Sequence, residues 1–369
     1  MYIFYLIGLI ALLSGCIDSQ KVIKSSDRAY KYKMASQWFQ QGKYIHAVPV
    51  IEDLMVIYKG TDTAPKLYFM LAESYYLNKE YTVAAYHYKT YKDLYGKTPN
   101  AEIATYKLAD CYAKQVAPVE LDQVDTKKAI DYFKVFLSEY PYSGKNNEAQ
   151  KQIDQLKRNL EVKALMSADL YYKTQNYRAA SYTYKNVVNQ FPEIKEFEEI
   201  YYKIVVSNYN FAKKSILKKQ PERFETTINE AQSFLSRFQK SKHRKEIAEI
   251  IANSNVELLK SSLKFAQTTY PVEDRPIYFI EAISAFQSFE KEIKDKPNFL
   301  STYLDDCYYG ILNSSYIIVD QTKEQALKEK HFTLFLENYN KYKYSYTKDS
   351  KASKQADELY KKIHKLVNL

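Results

Sequence analysis

The sequence is poor in glycine, with 7 in 369 residues, and holds only 10 prolines, 3 cysteines and 1 tryptophan. So little turn chemistry argues against a β-sandwich, barrel or propeller, and it leaves scant material for glycine-rich phosphate loops. Arginine is scarce too, 7 of the 54 cations, the other 47 being lysine. Bidentate readers of phosphate and bases are therefore few, although the net charge is +10. No P-loop, G-x-S-x-G or dinucleotide fingerprint occurs, and the five histidines, His46, His87, His243, His331 and His364, stand in no metal spacing. Adjacent carboxylates such as Glu198 and Glu199, or Asp305 and Asp306, fall on different sides of a helix, a poor geometry for acid and base on one substrate. The expectation is a chain with no enzymatic activity, no cofactor and no metal. What is abundant is tyrosine, 38 residues in a composition 46% hydrophobic and 27% charged, which can bury a large core and favours an all-α fold.

Residues Met1 to Gly15 carry no charged side chain, and the apolar run Tyr2 to Leu13 has signal-peptide length, too short to span a bilayer. It ends in Leu13-Ser14-Gly15-Cys16, which resembles the bacterial lipobox. That resemblance implies a signal peptide over 1–15, acylation of Cys16 through its thiol, and a lipidated cysteine with a short tether over 16–27. Ile17 stands where an aspartate would mark inner-membrane retention, so an outer-membrane destination is implied, with the membrane contacted through the lipid anchor. Cys111 and Cys307 then remain, without a metal or redox partner spacing, and are expected as packed core thiols.

An internal repeat fixes the architecture. Tyr44, Tyr81 and Tyr177 are each followed three residues on by an alanine, Ala47, Ala84 and Ala180. Nine residues before each tyrosine stand Ala35, Ala72 and Ala168, and six before stand Trp38, Tyr75 and Tyr171, a small-then-large pairing suited to two interdigitating antiparallel helices. This resembles the turn of the tetratricopeptide repeat (TPR). Second helices are expected to end on Tyr58, Tyr95, Tyr140, Phe191, Phe238 and Tyr339, with a missing member near Ile293. Pro141 and Pro192 follow two of these aromatics directly. An insertion over Gln115 to Asp125 separates the helices of the third hairpin. The expected fold is an all-α, right-handed α-solenoid of about seven TPR-like hairpins, whose faces are buried only by stacking.

Lipobox, short tether, the opening hairpin Tyr30 to Tyr58, the phrase Leu71-Ala72-Glu73-Ser74-Tyr75-Tyr76 and the hairpin ending Glu139-Tyr140-Pro141-Tyr142-Ser143 together resemble the BamD family, the lipoprotein subunit of the machine that inserts β-barrels into outer membranes. The resemblance covers 28–255, which would be a five-hairpin BamD-like TPR domain, and leaves 256–369 as an extension of about two hairpins. It implies a scaffold whose partners are unfolded outer-membrane proteins and the periplasmic domains of a BamA-like barrel subunit. A glycan-binding lipoprotein resembling the SusD family and a generic periplasmic TPR adaptor are the alternatives.

In such solenoids the first helices line the concave face. Counting from the repeat alanines, the expected peptide groove is made by Tyr32, Phe39, Phe69, Tyr76, Tyr106 and Tyr172, with Glu73 and Lys114, and beside them Asp110, Asp169 and Lys173, as polar partners. Apolar anchors with a cation at the edge suit an extended segment ending in a hydrophobic residue and a carboxylate. The stretch Lys341 to Lys348 alternates basic and aromatic residues, a pattern of single-strand binders, but export removes nucleic acid as a partner and an ordinary basic helix end is expected.

Overall fold

The computed structural model describes residues 19–289, 300–345 and 351–367. The signal peptide, Cys16 and the expected helix end near Ile293 lie outside the described residues. Every regular element described is a helix, and none is long and apolar enough to cross a membrane. The chain divides into two compact units, residues 1–164 and 165–369.

In the first unit, residues 19–23 are helical (α1). Three hairpins follow: α2 (Arg28–Gln40) with α3 (Tyr44–Ile57), α4 (Ala64–Leu77) with α5 (Tyr81–Tyr95), and α6 (Ala101–Lys114) with α7 (Val124–Glu139). Helix α8 (Asn146–Lys173) begins in this unit and ends in the second. There it pairs in sequence with α9 (Tyr177–Gln190) and leads to α10 (Phe197–Lys213) with α11 (Gln220–Arg237), α12 (Arg244–Thr268) with α13 (Arg275–Phe289), and α14 (Leu300–Gln321) with α15 (Gln325–Ser345). A closing helix, α16 (Lys351–Val367), packs on α14 and α15. Seven hairpins are thus formed. Residue 255 lies inside α12, so the chain has no break at the 255/256 boundary expected from sequence.

The repeated turn has one physical construction. Gly42, Lys79 and Gln175 take left-handed backbone at φ 72°, 64° and 58°. After them, the N–H of Lys43, Glu80 and Asn176 reaches back to the carbonyls of Trp38, Tyr75 and Tyr171 at 2.8–2.9 Å, closing a Schellman motif in each case. The next residue is the repeat tyrosine, which opens the second helix. The alanines Ala35, Ala72, Ala168, Ala47, Ala84 and Ala180 are all fully buried, where a larger side chain would hold the helices apart. Of the large partners, Trp38 is buried and Tyr75 partly buried, whereas Tyr171 is 41% exposed.

Second helices end as expected at Tyr58, Tyr95, Tyr140, Phe191 and Phe238. Tyr339 does not end one: α15 continues to Ser345, with no glycine or proline to stop it. The aromatic there is covered instead by α16, its ring 4.4 Å from that of Tyr360 and its hydroxyl donating to Asp357 at 2.6 Å. The insertion is a loop over 115–123, ordered by buried Gln123, whose amide donates to the carbonyl of Pro118 at 2.9 Å.

The tether also departs from expectation. Val22 is 4% exposed and packs into the core of the first hairpin with Ile23 beside it, and the Ser19 hydroxyl donates to the carbonyl of His46 on α3 at 3.1 Å. Residues 19–23 therefore belong to the folded unit, because Val22 and Ile23 lose less by docking on apolar α2 and α3 than by standing in water. Cys111 and Cys307 are fully buried free thiols, as their apolar registers predict.

Candidate functional site

The expected groove residues fall into four places, Tyr106 standing apart in the core of the third hairpin. Tyr32 and Phe39 lie on α2 and pack partly buried against the first hairpin's core, Phe39 edge-on to Tyr44 at 5.8 Å. Tyr172 lies at the end of α8 in the second unit, edge-on to Tyr177 and Tyr184. Phe69, Glu73, Tyr76 and Lys114 come together on α4 and α6.

That cluster follows from helical spacing. Glu73 succeeds the buried Ala72 on α4, so its carboxylate stands at the seam between α4, α5 and α6. There it accepts the Tyr88 hydroxyl from α5 at 2.6 Å and the Lys107 ammonium from α6 at 2.6 Å. Lys107 also sits 4.3 Å from the centroid of the Tyr76 ring. The Tyr76 hydroxyl donates to Asp110, and Lys114, one turn on, holds its Nζ 3.9 Å from the same carboxylate oxygen. The Phe69 ring meets those of Tyr88 and Tyr91 at 6.2 and 5.4 Å. Tyr106 is buried one turn before Asp110, edge-on to Phe133 and Phe136, with the Lys145 ammonium 4.5 Å over its ring.

Electrostatically the cluster is balanced, two carboxylates against two ammonium groups. Burial, reinforced by the Asp110 and Glu73 carboxylates, pushes the Tyr76 and Tyr88 hydroxyls well above the ordinary phenol value, so both remain donors at any physiological pH. Burial and then a hydrogen bond to Glu148 do the same to Tyr106. Only Lys114 at the rim is well exposed. The arrangement leaves one cation accessible at its rim and sets no nucleophile against a base. Among the described residues no group of three His, Cys, Asp or Glu side chains is placed to hold a metal ion.

Sequence reasoning placed Asp110 beside the groove but missed Lys107 and Tyr88 as members of this cluster's framework, and it missed that the framework repeats. In the second unit Asp169 accepts the Tyr184 hydroxyl and pairs with Lys203 at 2.7 Å, while Lys203 stands 5.6 Å over the Tyr184 ring. Glu73, Tyr88 and Lys107 lie 96 residues before Asp169, Tyr184 and Lys203, as Tyr76 does before Tyr172. That constant offset was the available signal.

Among solved structures the chain is similar to the complex of the TPR2AB domain of yeast Sti1 with pHSP90, at 11% identity over 76% of this chain and 98% of that one, with a TM-score of 0.31. It is also similar to a tetratricopeptide repeat protein from Parabacteroides merdae, at 13% identity over 85% and 100% of the two chains, with a TM-score of 0.27. No curated protein matches it. Over residues 24–199 the chain matches the YfiO family, described as outer membrane lipoprotein.

Proposed function

We propose that this chain is a BamD-like scaffold of outer-membrane β-barrel assembly, anchored at the periplasmic face of the outer membrane through acylated Cys16. Its first hairpins receive unfolded outer-membrane protein segments along Tyr32, Phe39, Phe69 and Tyr76, with Tyr106 held in the core of the third hairpin, Lys114 taking the terminal carboxylate and Glu73 holding the framework. Tyr172, on the second unit, is a separate aromatic contact in this reading. Later hairpins dock the periplasmic domains of a BamA-like barrel subunit, and residues 256–369 enlarge that docking surface. The observation that carries this reading is the family match over 24–199, which starts eight residues after the lipobox cysteine and spans the hairpins that hold the aromatic cluster.

Co-purification tests it. Gentle solubilisation of membranes should retain the chain with the barrel-assembly complex, and its absence from that complex would count against the scaffold. The SusD-like alternative needs long loops between repeats to build a sugar site, and among the described residues the longest connection in the first unit is 115–123. A saccharide-binding screen should therefore be negative.

A further inference from the structure

The docking of α1 shortens the tether to almost nothing. Ser19 is 3% exposed and bonded to the His46 carbonyl in the first turn of α3, and Val22 is buried between α2 and α3. Cys16 and Ser19 stand three residue steps apart, with Ile17 and Asp18 between them, a span of at most about 10 Å when extended. An acylated Cys16 must then hold the turn end of the first hairpin within about that distance of the lipid headgroups. The surface at that end has matching chemistry. Lys21 and Lys24 flank Val22 and are exposed, Lys43 is exposed at the start of α3, and Ile45 beside His46 is 56% exposed on the same first turn. Between residues 19 and 51 the sole acid is Asp27, whose carboxylate is engaged in capping α2 by accepting the N–H of Ala29 and Tyr30 at 2.9 and 3.0 Å.

We infer that Ile45, with Lys43 two residues before it and Lys21 and Lys24 on the docked α1, forms a membrane-contact surface that lays the first hairpin against anionic phospholipid, Ile45 inserting among the headgroups while the lysines pair with phosphates. The inference rests on the lipoprotein reading above. Its consequence is orientation: the first hairpin is fixed to the bilayer instead of swinging on a flexible tether, so the neighbouring aromatic cluster is presented at a set height.

The test uses the full-length lipidated chain, purified from membranes and reconstituted in vesicles of phosphatidylethanolamine and phosphatidylglycerol. A polarity-sensitive thiol fluorophore is placed by Ile45→Cys, or by Tyr142→Cys, a fully exposed position in the loop after α7. Cys111 and Cys307 are buried and leave the label site-specific. The expected result is a blue-shifted emission at position 45, quenched several-fold more by lipid-borne nitroxides than at position 142. Lys21→Glu, Lys24→Glu and Lys43→Glu combined should weaken that quenching while the protein still sediments with the vesicles. Equal aqueous exposure of both labels in vesicle-bound protein would overturn the membrane-contact surface and leave the anchor reading intact. Failure of the lipidated chain to sediment at all would overturn both.

Discussion

Lys107 of α6 reaches across to Glu73 of α4 with 2.6 Å between Nζ and Oε2, and 96 residues later Lys203 of α10 repeats the reach to Asp169 of α8 at 2.7 Å. Each pair is completed by a tyrosine hydroxyl from the helix between, Tyr88 or Tyr184. One hairpin is thereby fastened to the first helix of the next by a polar clamp inside an otherwise apolar seam. Removing Lys107 strands a carboxylate whose side chain is only 12% exposed. Lys107→Met is expected to cost about 2 kcal/mol, and Tyr88→Phe about 1 kcal/mol. Lys203→Met should cost less, because Asp169 is 29% exposed and water takes over part of the lost partner. Urea midpoints of the three variants check the order.

The repeated turns make a backbone prediction. Gly42 sits at φ 72° with no side-chain obstacle closer than 4.0 Å, so Gly42→Ala suffers the left-handed backbone penalty alone, about 1 kcal/mol. Lys79 and Gln175 already bear that penalty. Lys79→Gly and Gln175→Gly should therefore be stabilising by up to about 1 kcal/mol, read as higher midpoints, in contrast to nearly every other glycine substitution in this helical chain.

In the second unit, the ring of Phe279 on α13 lies where a side chain at Gly310 on α14 would stand, so a Cβ there would overlap it. Phe279 is 3% exposed and has nowhere to move. Gly310→Ala is expected to destabilise by about 2 kcal/mol through overpacking. Gly310→Ala combined with Phe279→Leu should recover part of it, as a steric cause requires.

Buried protons predict alkaline lability. Burial pushes the Cys111 and Cys307 thiols from 9.0 up to about 12, and burial with the Glu73 carboxylate pushes the Tyr88 hydroxyl higher still. In each case the folded state keeps its proton where the unfolded chain releases it, so this contribution is complete below pH 9 and is lost as pH rises from about 9 to 12. Stability should fall steeply over that window. Thiol titration at pH 8 should find both cysteines unreactive until denaturant is added.

The hairpin repeat was legible in the sequence because its turn demands particular residues: a tyrosine to open the second helix and alanines where backbones meet. The two buried thiols were legible because each lies on a helix's apolar register. The polar clamp was harder to see. A lysine or carboxylate on a helix looks solvated until the neighbouring hairpin is placed, and Lys107 meets Glu73 across 34 residues. Tyr339 misled because an aromatic that ends a second helix and one that is covered by a further helix have the same local context. α1 was read as tether because five residues carry too little pattern to reveal docking; Val22 and Ile23 gain meaning only beside α2 and α3.

The cluster of α4 to α6 is proposed to receive unfolded outer-membrane proteins. A photoreactive residue at Lys114, exposed at the cluster's rim and paired only loosely to Asp110, tests it in living cells. The account predicts crosslinks to newly exported β-barrel proteins that diminish with Tyr76→Ala or Phe69→Ala while the fold, checked by helicity, is retained. Crosslinks from Lys114 that never include a β-barrel protein would contradict it.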